Sequence, residues 1–284
     1  MTASSSAAAG FGQRLRHAMD ERGPLCAGID PHPGLLGAWG LTDSVEGLEK
    51  FALSAAEALA PAVAAVKPQS AFFERFGSRG IAVLERVVDT SRQAGALVVL
   101  DVKRGDIGST AQAYADAYLD PASPMAVDAI TATPFLGFGS LDPMLATARE
   151  HGKGVFVLAL TSNPEAPQFQ HARTDTGGTV AGTVLDELRK LNGDVAPMGS
   201  FGAVVGATIT ETGEDLDVNG PLLVPGIGAQ GGTADDVRRI FGGVLHLVLP
   251  SSSREILGAG PDPAALKAAA GRSVEAFSAL RGGR

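Results

Sequence analysis

The sequence predicts a single-domain α/β protein, a closed (β/α)8 or TIM barrel. Short β-rich apolar runs recur along the chain, helix-patterned segments separate them, and charged residues end several of the runs on the C-terminal side. Near-continuous apolar strands are what a parallel sheet buried on both faces requires, and eight strand–helix units favour closure over an open sheet.

The elements follow in order. A helix pattern over 11–22 precedes the first strand; it is extra to the repeat and is placed at the barrel's N-terminal end. Strands are expected at 24–30, 62–67, 96–103, 126–133, 154–160, 201–208, 221–226 and 243–250. Helices are expected at 44–60, 80–95, 178–192 and 263–280, where apolar residues recur at three- and four-residue spacing. Two connections are long, 162–178 and 208–220. Long loops on the βα side of a barrel often cover a ligand. The first is expected near the site, and the second, being acidic, to extend into solvent.

With 284 residues, 45% of them hydrophobic, the chain can bury a large core, and no Gly/Ser/Pro linker divides it. Residues 1–10 are Ala/Ser-rich and read as a disordered tail, with one barrel domain over 11–284. The tail lacks the basic start and long apolar core of a secretion signal, and no apolar run approaches the ~18 residues of a membrane span. A cytoplasmic location is expected. The net charge is −8, with no Lys/Arg block, so neither nucleic acid nor an anionic membrane is an expected partner. The single cysteine, Cys26, lies in an apolar run and reads as a buried strand residue. His17, His32, His151, His171 and His246 show no metal-ligand spacing, and no motif calls for an organic cofactor.

The informative pattern is where charges stop the apolar runs. Strand one ends at Asp30, strand two at Lys67, and strand three at Asp101 and Lys103. Side chains two apart on a strand share a face, so Asp101 and Lys103 point together, and Gly105 lets Asp106 turn back towards them. A salt-bridged strand end is the competing reading of Asp101 and Lys103 alone. Adjacent strand ends of a barrel converge on one cleft, however, and buried charges are costly unless they are paired. Four such residues there form a charge array.

A second constellation, VPGIGAQGGT (224–233), follows strand seven and opens a helix pattern. Glycines such as Gly228 and Gly231 let backbone N–H groups face an anion, Gln230 can donate, and Arg254 after strand eight can bind phosphate bidentately. A plain glycine turn is the alternative. Trp39 and the phenylalanines read as packing and not as a base-stacking platform, with a pocket wall as the alternative reading of Phe72 and Phe73, just after KPQSA.

The run DVKRGDIGST (101–110) resembles the signature of the orotidine 5′-phosphate decarboxylase family: Asp-x-Lys-x-x-Asp, an aliphatic residue, Gly or Pro, then Thr two positions on. GIDPHP, AVKPQSAFFE, LALTSNP and PGIGAQGG match further family segments in order, in the wording of its longer bacterial branch. The resemblance implies decarboxylation of orotidine 5′-monophosphate (OMP) to UMP and CO2, without cofactor or metal, in a homodimer. It implies that Asp30 binds a ribose hydroxyl and that Lys67 bridges the ribose and Asp101. Asp101 would sit beside the substrate carboxylate, and Lys103 would protonate C6. Asp106, Ile107 and Thr110 would reach the neighbouring subunit's site. Ser162 would contact the pyrimidine, and Gln230 and Arg254 the phosphate. One departure concerns Arg254: PSSS precedes it, where some relatives have a short Gly-Arg-Ser. A sugar-phosphate aldolase or epimerase and a silent nucleotide-binding barrel are the rival readings.

Overall fold

The computed structural model describes residues 9–175, 177–209, 213–228 and 231–282. All but the last two residues of the expected tail lie outside them, as does Gln230. Eight parallel strands close into a barrel in sequence order: β1 (Cys26–Ile29), β2 (Ala65–Pro68), β3 (Leu97–Arg104), β4 (Ala129–Ala132), β5 (Gly154–Leu160), β6 (Phe201–Val205), β7 (Leu222–Val224) and β8 (Val248–Ser252). Closure is made by β1 against β8, with Cys26 opposite Ser251 and Ala27 opposite Ser252. The apolar runs are nearly continuous because both strand faces are covered, by the barrel interior on one side and the helices on the other.

The helices follow their sequence signals. In Val45–Leu59 the Ser44 hydroxyl accepts from the Gly47 amide, and Leu48, Phe51, Ala52, Ala55 and Leu59 form the buried stripe. In Val180–Asn192, Thr179 caps the first turn. Asn192 at its end is buried: its amide donates to the carbonyls of Phe201 and Val218, and its oxygen accepts from the Phe201 amide. That helix is thereby fastened to the start of β6.

The N-terminal helix, Phe11–Arg22, packs at the N-terminal end of the barrel. The Phe11 ring meets Phe156 edge-on, with centroids 5.8 Å apart. Arg14 donates to Asp128 at 2.6 Å and to the Gly152 carbonyl at 3.1 Å, while the other Asp128 oxygen accepts from the Val98 amide. The helix and the starts of β3 and β4 are joined through one carboxylate. Cys26 is buried, and burial pushes its thiol up to about 12, so it is inert at neutral pH.

Several boundaries differ from the sequence expectation. Residues 242–247 form a 3-10 turn, so β8 starts later and extends through the serines to Ser252. Val244 and Leu247 are buried there, and a buried 3-10 segment shows the same apolar run as a strand. Strand two likewise begins at Ala65, after a 3-10 turn at Ala60–Ala62. The 162–178 connection holds a short helix, Ala166–Gln170. The acidic connection after β6 is not wholly solvated: Leu216 and Val218 turn back into the core, and Arg189 donates to the Asp215 and Asp217 carbonyls. Its charges hide two apolar anchors at alternate positions. Helices Gly77–Gln93, Gly108–Tyr118, Asp142–Glu150, Ala234–Phe241 and Pro263–Gly282 follow β2, β3, β4, β7 and β8, with shorter ones at Pro33–Ala38, Ala71–Glu74 and Arg254–Leu257. Among the described residues no helix separates β6 from β7, so that unit departs from the expected alternation.

A Cβ on Gly12 would run into the Gly199 backbone carbonyl, which has no rotamer by which to yield. Gly12→Ala is therefore expected to lower unfolding free energy by about 1–3 kcal/mol in urea titration, as overpacked sites do, without changing ligand affinity at the far end of the barrel.

Candidate active site

The C-terminal strand ends surround a cleft of about 380 Å³. Asp30, Lys67, Asp101 and Lys103 all line it, with His32, Gln69, Phe72, Thr131, Thr161, the turn at Pro225–Ile227, Ser251, Ser253 and Arg254. The expected convergence of β1, β2 and β3 is therefore met.

Asp101 is the centre. One carboxylate oxygen accepts from Lys67 Nζ at 3.1 Å, and the other from Lys103 Nζ at 2.6 Å and the Thr131 hydroxyl at 2.8 Å. The Asp101 and Lys67 side chains are each 8% exposed, whereas that of Lys103 is 46% exposed. Burial alone would raise the Asp101 pKa, but the positive charges of Lys67 and Lys103 and the hydrogen bonds from Lys103 and Thr131 hold it well below the usual carboxylate range. Burial would likewise discharge Lys67; Asp101 first and Asp30 second reverse this and raise its pKa above the ordinary lysine value. Both groups of the buried pair are thus ionised at neutral pH.

Local backbone geometry delivers Lys103. Its φ is +46°, in the left-handed region that non-glycine residues rarely occupy. The β3–β4 register shifts between Leu100 and Arg104, and the Lys103 amide donates to the Thr131 hydroxyl at 2.9 Å. The strand end is bent, and the lysine faces the cleft while remaining attached to the sheet.

Other cleft groups await partners. Asp30 Oδ1 and the hydroxyl of Ser253 are buried without a hydrogen bond among the described residues, as is the neighbouring Ser252 hydroxyl. Arg254 is exposed and has no ion pair there. His32 packs on Phe72 with ring centroids 4.2 Å apart. Burial lowers its pKa, Asp30 opposes the shift and Arg254 adds to it, so His32 is neutral at pH 7.

The family description "Orotidine 5′-phosphate decarboxylase / HUMPS family" matches residues 23–269. The chain belongs to this family. A Nocardioides orotidine 5′-phosphate decarboxylase is 70% identical over 250 residues, spanning 87% of this chain and 91% of the relative. One from Salinispora arenicola is 64% identical over 263 residues, 92% of this chain and 95% of the relative. The crystal structure of a candidate orotidine 5′-phosphate decarboxylase from Streptomyces avermitilis superposes with a TM-score of 0.95 at 55% identity, covering 99% of each chain.

Asp106, Ile107, Thr110, Ser162, Gly228 and Gly231 are not among the lining residues, and Gln230 lies outside the described residues. Asp106 accepts from the Ile107 amide at 2.8 Å, just before the helix Gly108–Tyr118, and Ile107 and Thr110 are exposed. Ser162 is the neighbour of the lining residue Thr161. The glycine turn is folded on itself: Gly228, Gly231 and Gly232 donate their amides to carbonyls within the turn. A Cβ on Gly228 (φ +70°) would have to displace the Glu255 carboxylate, whereas one on Gly231 (φ +92°) would face open space, so the positive φ is what favours glycine at both. Of the two phenylalanines, Phe72 lines the cleft and Phe73 is fully buried. Sequence reasoning passed over Thr131, His32 and Gln69. A threonine within the buried strand Ala-Ile-Thr-Ala was the available signal, since a hydroxyl there needs a partner.

Asp101→Asn leaves the buried Lys67 ammonium without its counter-charge. Breaking such a pair costs about 3–5 kcal/mol. That loss is expected at pH 7 in urea denaturation. Because the folded-state pKa of Asp101 is depressed, its stabilisation is fully present above the ordinary carboxylate range and is lost as pH falls through the lower folded value. The gap between wild type and variant should therefore close only in strong acid.

Proposed function

We propose that this cleft decarboxylates OMP to UMP and carbon dioxide without a cofactor, with Lys103 delivering the proton to C6. The observation that carries the reading is one buried carboxylate, Asp101, held between two ammonium groups, one of them buried and one open to the cleft.

The chemistry asks for such an array. Breaking the bond from C6 to the carboxylate leaves its electron pair on a vinyl carbon, in an orbital that no π-system absorbs. The largest enzymatic accelerations, about 10¹⁷-fold, correspond to roughly 23 kcal/mol of barrier lowering. A fixed ammonium where the negative charge develops is the direct way to stabilise it. Lys103 then transfers one proton to C6, which closes the balance: OMP and a proton give UMP and CO2. The negative Asp101 beside the substrate carboxylate disfavours the bound ground state more than the transition state, in which that charge leaves as neutral CO2.

The rest of the cleft supplies binding. The unpartnered oxygen of Asp30 accepts a ribose hydroxyl, and Lys67 bridges the ribose and Asp101. Arg254, with its guanidinium free of ion pairs among the described residues, takes the phosphate. Gln230 in the strand-seven loop joins it, with Gly228 and Gly231 shaping the turn. Ser162 contacts the pyrimidine. Binding energy at the phosphate, remote from C6, is used in the transition state.

The functional unit is a homodimer in which Asp106, Ile107 and Thr110 of each subunit complete the partner's site. Supporting this, Ile107 is 62% exposed and Phe135 and Phe169 expose a ring pair, centroids 4.9 Å apart, on the loops after β4 and β5. These form an apolar rim on the same face as the cleft. An aldolase would need a neutral lysine to form an imine. Lys67 is held charged, and Lys103 is ion-paired at 2.6 Å, which disfavours that rival.

Ultraviolet absorbance of OMP mixed with the protein and excess EDTA should shift to that of UMP. Lys103→Ala should lower kcat by at least ~10³-fold, the upper range for loss of one transition-state donor, while UMP affinity measured by calorimetry changes less than about tenfold. An unchanged spectrum from folded wild-type protein would overturn the proposal.

A further inference from the structure

We infer that Thr131 is a positioning residue for the decarboxylation: its hydroxyl fixes Asp101 and Lys103 in their working geometry. The inference rests on the function proposed above for Lys103 and adds a residue outside the Asp/Lys array.

The hydroxyl has one proton, and its use is determined. Ionised Asp101 only accepts, so Thr131 donates to its Oδ1 at 2.8 Å, and the Thr131 oxygen accepts the Lys103 amide at 2.9 Å. The same Asp101 Oδ1 also accepts from Lys103 Nζ at 2.6 Å. These contacts close a ring from the Lys103 backbone through Thr131 and Asp101 to the Lys103 ammonium. Thr131 thus holds Lys103 by both ends.

Each end needs holding. The register shift between Leu100 and Arg104 takes the Lys103 amide out of the β3–β4 ladder, and the Thr131 side chain replaces the missing backbone acceptor. Lys103 is thereby kept at φ +46°. Its side chain is 46% exposed and would otherwise sample many rotamers. Thr131 itself is 2% exposed on β4, so it is a rigid anchor. Valine in its place would keep the shape but strand the Lys103 amide and remove one donor to Asp101.

The test compares Thr131→Ser with Thr131→Ala. Both lose the γ-methyl and differ only in the hydroxyl, and Thr131→Val serves as the isosteric control. The expected result is kcat for OMP within about threefold of wild type in the serine variant, and at least about tenfold lower in the alanine and valine variants. KM should move less than about threefold throughout, because a displaced ammonium affects the transition state more than binding. A crystal structure of the alanine variant should show Lys103 out of the left-handed region or its ammonium away from Asp101. Equal kcat in the serine and alanine variants would overturn the inference, since a packing role follows the methyl. An unmoved Lys103 would also overturn it. If wild-type protein does not turn over OMP, the proposed function fails, and the crystallographic comparison still decides whether Thr131 holds Lys103.

Discussion

A carboxylate buried between two lysines is the constraint around which the catalytic end of this barrel is organised. The Asp101 side chain is 8% exposed, and it is ionised only because Lys67 and Lys103 reach it from β2 and from its own strand, with Thr131 adding a hydrogen bond from β4. Remove either end and a charge is left in a poorly solvated place. The array is therefore both a stability problem and a chemical device. The fold meets the first requirement by bringing three neighbouring strand ends to one point, and that same convergence creates the second.

The two ends of the barrel divide the labour. At the N-terminal end, Asp128 ties Arg14, the Val98 amide and the base of β4 into a closed structural contact, with the N-terminal helix sealing it. At the C-terminal end, among the described residues, Asp30 and Ser253 hold buried side-chain atoms without a hydrogen-bond partner and Arg254 has no ion pair. The Asp128 contact at the N-terminal end serves stability and the groups at the C-terminal rim are placed for binding, as expected for α/β barrels. The left-handed backbone at Lys103 fits this division, since strain is tolerated where surrounding bonds over-determine it.

Much of this was legible in the sequence because barrel strands announce themselves as apolar runs, and charges that end such runs on consecutive strands must meet at one rim of the barrel. Strand order and two-residue alternation alone place Asp30, Lys67, Asp101 and Lys103 together, and all four line the cleft. The parts that were hidden are those where one sequence pattern serves two conformations. The buried 3-10 turn at Gly242–Leu247 looks like strand, and Leu216 and Val218 are lost among acidic neighbours. Thr131 was hidden for a different reason. A lone threonine in a strand is ordinary, and only the register shift opposite it turns its hydroxyl into the acceptor for the Lys103 amide.

In the proposed reaction Lys103 exchanges a proton with C6 of the pyrimidine. By microscopic reversibility the same group must also remove that proton from UMP, slowly, and return a deuteron in D2O. The decisive measurement is proton NMR of the C6–H signal of UMP incubated in D2O with the protein. The wild-type protein should exchange this hydrogen faster than buffer does, and Lys103→Ala, although still binding UMP, should not. Exchange at the wild-type rate in the alanine variant would rule out this role for Lys103 and assign the proton to another group in the cleft.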